Sequence, residues 1–172
     1  MTLSIASLDQ RLRRIEDREA IRVLIGKYCL AIDNKDFDMA ETLFTPDARF
    51  GWKDGSVSIE PREAVMHMYR TRLGPAGPSF HFTHDQFVEW DDADDNRATG
   101  LVACHAETYF NGVQNVVAIR YEDKYARQNG RWLFRERVLC FLYNAPFAQY
   151  DGILGRKDRI VMPAGNKPAH WP

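Results

Sequence analysis

RATGLVACHAETYFNGVQNVVAIRYEDKYARQNGRWLFRERVLCFLYN, residues 97–144, is the stretch that decides the architecture. It divides at Asn111-Gly112 and at Gln128-Asn129-Gly130, both turn-forming clusters, into three apolar, β-branched and aromatic runs. The runs cover 97–111, 113–127 and 131–144. Each is long against the usual five or six residues of a strand. A fourth run, 79–90, precedes them across the charged turn Asp91–Asn96. Four long strands in a meander predict a strongly curved sheet.

Upstream the period changes. Leu8, Leu12 and Ile15, then Ile21, Leu24, Ile25, Tyr28 and Ile32, recur at three- and four-residue steps. That predicts one long amphipathic helix, with Arg11, Arg13, Arg14, Asp17 and Arg18 on its solvated side. It ends near Asp33-Asn34-Lys35-Asp36. A short second helix runs from Phe37 to Phe44 and stops before Thr45-Pro46-Asp47, since a residue preceding proline disfavours helix. Ala48–Trp52 and Val57–Ile59 flank Lys53-Asp54-Gly55-Ser56 as a small hairpin. Pro61-Arg62-Glu63 opens a third helix to about Leu73. Helices followed by long strands predict the α+β class, a curved antiparallel sheet wrapped around the N-terminal helices. Residues 1–145 read as one domain. Residues 146–172 read as a Pro- and Gly-punctuated tail, packing on the chain's own pocket or on a neighbouring subunit.

Composition excludes several functions. The 172 residues carry 23 basic and 24 acidic side chains, with 45% apolar and 12% aromatic content. Nothing in that balance favours nucleic acid or a membrane surface. No run approaches a membrane span, and Met1-Thr2-Leu3-Ser4 lacks the basic, apolar start of a secretory signal, so a cytoplasmic location is expected. Cys29, Cys104 and Cys140 lie in apolar runs and read as buried thiols. No cofactor fingerprint is present, and no metal is expected.

Asp17-Arg18-Glu19-Ala20-Ile21, Lys27-Tyr28, Asp33, Phe37-Asp38 and Leu43-Phe44-Thr45-Pro46-Asp47-Ala48 follow one another in an order that resembles the nuclear-transport-factor-2-like superfamily, in its SnoaL-like branch. Phe80-His81-Phe82-Thr83-His84-Asp85, Ala98-Thr99-Gly100, Tyr121-Glu122-Asp123-Lys124-Tyr125 and Asn129-Gly130-Arg131-Trp132 extend the resemblance over about residues 10–145. It implies a cone-shaped α+β barrel with a pocket between sheet and helices. The chain is similar to the bacterial bile-acid dehydratases and, more distantly, to scytalone dehydratase and hexachlorocyclohexane dehydrochlorinase. Tyr28, Asp33 and His81 match the tyrosine, aspartate and histidine of the bile-acid enzymes. A further catalytic aspartate of those enzymes falls at Ala106, and their active-site arginine falls at Phe141. The resemblance therefore implies a retained acid–base core with a more apolar periphery and a different substrate.

Those residue types permit general-base chemistry without a cofactor. An imidazole titrates near neutrality, and a carboxylate partner fixes which ring nitrogen faces the substrate. His81 is assigned as base, Asp33 as its orienting partner and Tyr28 as hydrogen-bond donor or acid. Phe50, Trp52, Met66, Tyr69, Val117, Ile119, Phe141 and Tyr143 are expected to form the substrate walls. The expected activity is a lyase acting on a small hydrophobic, hydroxylated cyclic or aromatic molecule, by dehydration or by retro-aldol loss of an aldehyde. An isomerase or cyclase using the same dyad, or a non-catalytic binding or assembly protein, remain the alternatives. A homo-oligomer, trimer or dimer, is expected. Strand alternation sends His84 away from His81. The Ala106 match puts the even residues of strand 97–111 inward, leaving His105 outside. Arg135, Glu136 and Arg137 read as a solvated or interfacial charge cluster.

Overall fold

The computed structural model describes residues 5–171. Helix α1 spans Ile5–Asp33, α2 Phe37–Glu41 and α3 Arg62–Met68, which continues as a π-helical turn over Tyr69–Leu73. The strands are β1 Phe44–Trp52, β2 Ser58–Ile59, β3 Ser79–Trp90, β4 Arg97–Phe110, β5 Val113–Gln128 and β6 Arg131–Pro146. They form a single curved, open sheet in the order β2-β1-β6-β5-β4-β3. The α+β class and the long meander are as expected from the sequence. Asn111-Gly112 and Asn129-Gly130 carry positive φ at both central positions, the backbone that a two-residue hairpin requires.

The β1–β6 pairing is parallel, an exception within an otherwise antiparallel sheet. Phe44 lies opposite Phe134, and Arg49 opposite Glu136, with an irregular register between them. Pro46 sits in that gap, where its missing N–H breaks no regular ladder. The second helix consequently ends at Glu41, not Phe44, and β1 begins at Phe44 rather than Ala48.

The stripe on α1 is not continuous. Ile21, Leu24, Ile25, Tyr28 and Ile32 are buried against the sheet, each aliphatic side chain contributing about 1.5–3 kcal/mol. Leu8, Leu12 and Ile15 are exposed, by 49%, 56% and 62%. Six residues separate Ile15 from Ile21, and at 3.6 residues per turn that step rotates the side chain by about 240°, onto another face. Asp17, expected in solvent, is buried instead. It accepts hydrogen bonds from the Trp132 indole N–H, at 2.9 Å, and from the Arg127 guanidinium.

Three single-residue bulges set which side chains reach the concave face. In β3 the extra residue falls at His84–Asp85, opposite Ala103. In β6 they are Arg135, between Phe134 and Glu136, and Leu142, between Phe141 and Tyr143. Each reverses the in–out alternation beyond it. Gly100 marks a close approach on the same face: a Cβ there would lie 2.7 Å from Tyr125 Cε2 and 2.9 Å from the Phe87 carbonyl oxygen. Tyr125 is fully buried and cannot swing aside. Gly100→Ala is therefore expected to lower the unfolding free energy by about 1–3 kcal/mol in chemical denaturation.

The tail returns along its own chain. Ile160 bridges to Asn144 and Lys167, and enters the main core. His170 Nδ1 accepts the Phe141 N–H at 3.0 Å, and Lys167 Nζ donates to Asp54 at 2.9 Å. Asp54 is held at about 2: burial would raise it, but hydrogen bonds from Ser56 and Lys167 outweigh that.

Candidate active site

Asp33 is the last residue of α1, and the helix stops there for a visible reason. Lys35 takes a left-handed φ of 58°, the Asp36 N–H reaches the Ala31 carbonyl and the Lys35 N–H the Ile32 carbonyl. That is the hydrogen-bond pattern of a Schellman cap. A carboxylate at the negative end of a helix dipole is unfavourable, so Asp33 does not serve the helix. Its compensation comes from β3. Asp33 Oδ1 lies 2.6 Å from His81 Nδ1 and accepts from Ser79 Oγ at 2.9 Å, while Oδ2 accepts the His81 backbone N–H at 3.0 Å. Burial pushes the Asp33 carboxyl up, but these hydrogen bonds and the imidazole hold it below the ordinary value.

His81 and Asp33 remain partly open, with side chains 12% and 16% exposed. His81 lies opposite Ala106 on β4, so the even residues of that strand do face inward. His84 lies in the β3 bulge, exposed. His105 is on the outer face, where its Nε2 lies 3.0 Å from the Tyr143 hydroxyl. Among the described residues, no group of three or more His, Cys, Asp or Glu side chains is arranged to hold a metal ion.

Tyr28 is buried at the centre of the core, and the dyad lies at its margin. The Tyr28 hydroxyl lies 3.0 Å from that of Tyr69, and its ring packs edge-on against Phe44, Tyr121 and Phe134. Burial pushes the Tyr28 phenol up, against an opposing pull from Arg137, so it stays a proton donor. Phe50, Met66, Tyr69, Val117, Ile119 and Phe141 are buried in the same core, with Trp52 packed edge-on to Phe141 at 5.0 Å. Tyr143 is the correction. The Leu142 bulge turns it away from Phe141, into a separate cluster with Val116, Ala145 and Ile153.

Arg137 is the residue that the alternation concealed. Counting by twos from Trp132 and Phe134 places it outward, but the Arg135 bulge turns it in. It is fully buried, cross-strand from Asp123, with Nε and Nη2 donating to the two carboxylate oxygens at 2.8 and 2.7 Å. Its guanidinium carbon lies 4.2, 4.0 and 4.1 Å from the ring centres of Tyr28, Tyr121 and Phe134. Burial opposes its charge, but Asp123 more than compensates and keeps it protonated. Nη1 is buried with no protein partner among the described residues. Ser79 was also missed, although its position two residues before His81 puts both on one strand face.

The three cysteines are buried thiols, pushed up by burial to about 11 for Cys29 and about 12 for Cys104 and Cys140. Such thiols are poor nucleophiles at neutral pH.

Residues 13–138 match the family model described as SnoaL-like domain. The chain belongs to the SnoaL-like family. Solved structures agree on the fold of this SnoaL-like protein. A hexachlorocyclohexane dehydrochlorinase (LinA) of type 2 superimposes with a TM-score of 0.73 at 19% identity, covering 81% of this chain and 94% of that one. A scytalone dehydratase-like protein from Novosphingobium aromaticivorans gives 0.70 at 15% identity, with 78% and 89% covered. An aromatic ring hydroxylase-like protein from the same organism gives 0.70 at 21%, with 77% and 94% covered. No helix of the SnoaL-like chain is long and apolar enough to cross a membrane, among the described residues.

Ser79→Ala removes one hydrogen bond from Asp33 and is expected to cost about 1 kcal/mol at neutral pH. The sign follows from the carboxyl being held below its ordinary 3.8. The dyad's contribution is fully present above that value and is lost as pH falls through the lower folded one. Denaturation of wild type and Ser79→Ala should therefore differ at pH 7 and converge in acid.

Proposed function

We propose that the protein is a cofactor-independent lyase whose general base is His81. The observation that carries this reading is the 2.6 Å contact between His81 Nδ1 and Asp33. With Nδ1–H donated to the carboxylate, Nε2 presents the free lone pair. Nε2 takes a proton from the carbon adjacent to the one that bears the leaving group; the C–H electrons form the new double bond between those two carbons, and the leaving group departs with its bonding pair. In a syn elimination the imidazolium returns that proton to the departing hydroxide as water. Asp33 orients the ring and stabilises the imidazolium. Tyr28 donates a hydrogen bond to the substrate oxygen, in the positive field of Arg137.

The aromatic and aliphatic lining of the concave face suits a hydrophobic cyclic or aromatic molecule. The leaving group is a hydroxyl, as the scytalone dehydratase-like neighbour suggests, or a halide, as the dehydrochlorinase suggests. Chelator-treated protein should be offered a panel of hydroxylated and chlorinated alicyclic and aromatic compounds, read by ultraviolet absorbance and mass spectrometry. Elimination adds conjugation and lowers the product mass by water or hydrogen chloride. A product of unchanged mass would make the protein an isomerase, and binding without turnover across the panel would make it a carrier.

A further inference from the structure

Residues 157–171 turn back over the end of β6, and one imidazole sits where they meet it. The His170 N–H donates to the Phe141 carbonyl at 2.8 Å, and the Phe141 N–H donates to His170 Nδ1 at 3.0 Å. The two rings meet edge-on, 5.7 Å apart. His170 is the single histidine of the tail, and its side chain is only 6% exposed. Its Nε2 is buried without a hydrogen-bond partner among the described residues, 4.0 Å from Asp54 Oδ2. Such a ring accepts at Nδ1 only while it is neutral, with its proton on Nε2. A second proton would land on Nδ1 and set a donor against the Phe141 N–H, leaving both unsatisfied.

The other side-chain ties of the tail do not change near neutrality. Lys167 Nζ donates to Asp54 at 2.9 Å and to Ser56 Oγ at 3.1 Å. Arg159 Nη2 donates to the Trp171 carbonyl at 3.1 Å, and the Arg120 guanidinium stacks on the Trp171 ring. Lysine and arginine stay charged in that range, and Asp54, held at about 2, stays ionised. What the tail covers is the Trp52–Phe141 edge of the core. Lys167 Nζ lies 5.7 Å from the Trp52 ring centre, and Ile160 and Met162 join the same core.

We infer that residues 157–171 are a proton-released latch over the Trp52–Phe141 wall, held shut by neutral His170 and freed when its ring gains a proton. Several elements set the balance at that ring. Burial disfavours protonation most; the Asp54 carboxylate of the β1–β2 turn and the Leu139 carbonyl of β6 favour it, and Lys167 and Lys53 oppose it. The outcome holds the imidazole below its ordinary 6.5. The closed latch therefore binds the proton less well than the open one. Its stability is whole above 6.5 and is lost as pH falls through that value toward the lower closed one. Opening bares two of the residues expected to line the substrate site. That consequence rests on the lyase reading; the latch itself does not.

The test is amide hydrogen exchange of the full chain by NMR, corrected for intrinsic rates, across the ordinary imidazole range from about pH 7.5 to about pH 5.5. The Phe141, Ile160, Val161, Lys167 and His170 amides, which tie the tail to β6 and to itself, should lose protection together as pH falls. Amides within the β4–β5 ladder should keep theirs. The loss should follow the His170 imidazole titration in the same sample, with one shared midpoint. His170→Asn puts a non-titrating amide oxygen where Nδ1 accepts, and should keep the tail equally protected across the range. A wild-type tail whose protection ignores pH would overturn the inference, as would the same acid loss in His170→Asn. If the Asn variant is open at every pH, the wild-type curves decide: separate midpoints for amide loss and imidazole titration would overturn it, and coincident ones would uphold it.

Discussion

Arg137→Ala is expected to lower the unfolding free energy by about 3–5 kcal/mol, more than any other single change considered. The reason is what it leaves behind. Arg137 and Asp123 have fully buried side chains, and two of the carboxylate's hydrogen bonds come from the guanidinium. Without it, Asp123 keeps only the Tyr125 hydroxyl, at 2.8 Å, and no counter-charge. The space is equally costly, because the guanidinium fills the gap between the Tyr28, Tyr121 and Phe134 rings. Replacing both members, Arg137→Met with Asp123→Leu, should recover much of the loss, since a buried ion pair adds little net stability over packed apolar groups. Denaturant melts of the single and double variants measure this. Additive losses in the double variant would mean that the pair is not coupled.

His81→Gln should reduce turnover by about 100- to 10,000-fold, the usual range for removing a positioned general base. Asp33→Asn should fall in the same range with little change in KM. Its amide can still occupy the site while failing to hold the imidazole in the required tautomer. Both variants should fold, since the dyad is at the core margin and partly open. Steady-state kinetics on a compound identified by the panel give the readout. A variant that raised KM and left kcat intact would assign these residues to binding instead.

The sequence made the fold legible where one signal acted alone. Long β-branched runs and Asn-Gly turns have few alternative readings, so the four long strands appear at their expected places. The match of Tyr28, Asp33 and His81 drew attention to a pair that the fold does bring together. Legibility failed where a single residue changes phase. Arg135 and Leu142 look like ordinary members of an alternating strand, yet each is a bulge, and together they bury Arg137 and turn Tyr143 away. On α1 the six-residue step from Ile15 to Ile21 reads as continued amphipathicity but moves the apolar seam to another face. The parallel β1–β6 pairing is a long-range contact that no local pattern around Phe44 encodes. Tyr28 shows another limit: its helix position was readable, but its partner Tyr69 lies 41 residues away.

In the proposed mechanism Asp33 fixes His81 so that Nε2 is the free base. Nitrogen-15 NMR of the imidazole, recorded at a pH where the ring is neutral and assigned by loss of the signal in His81→Gln, tests it without a substrate. The Nδ1–H tautomer is expected, with Nε2 showing the shift of an unprotonated nitrogen. A predominant Nε2–H tautomer would contradict it, because the nitrogen facing the substrate would then carry the proton it is required to accept.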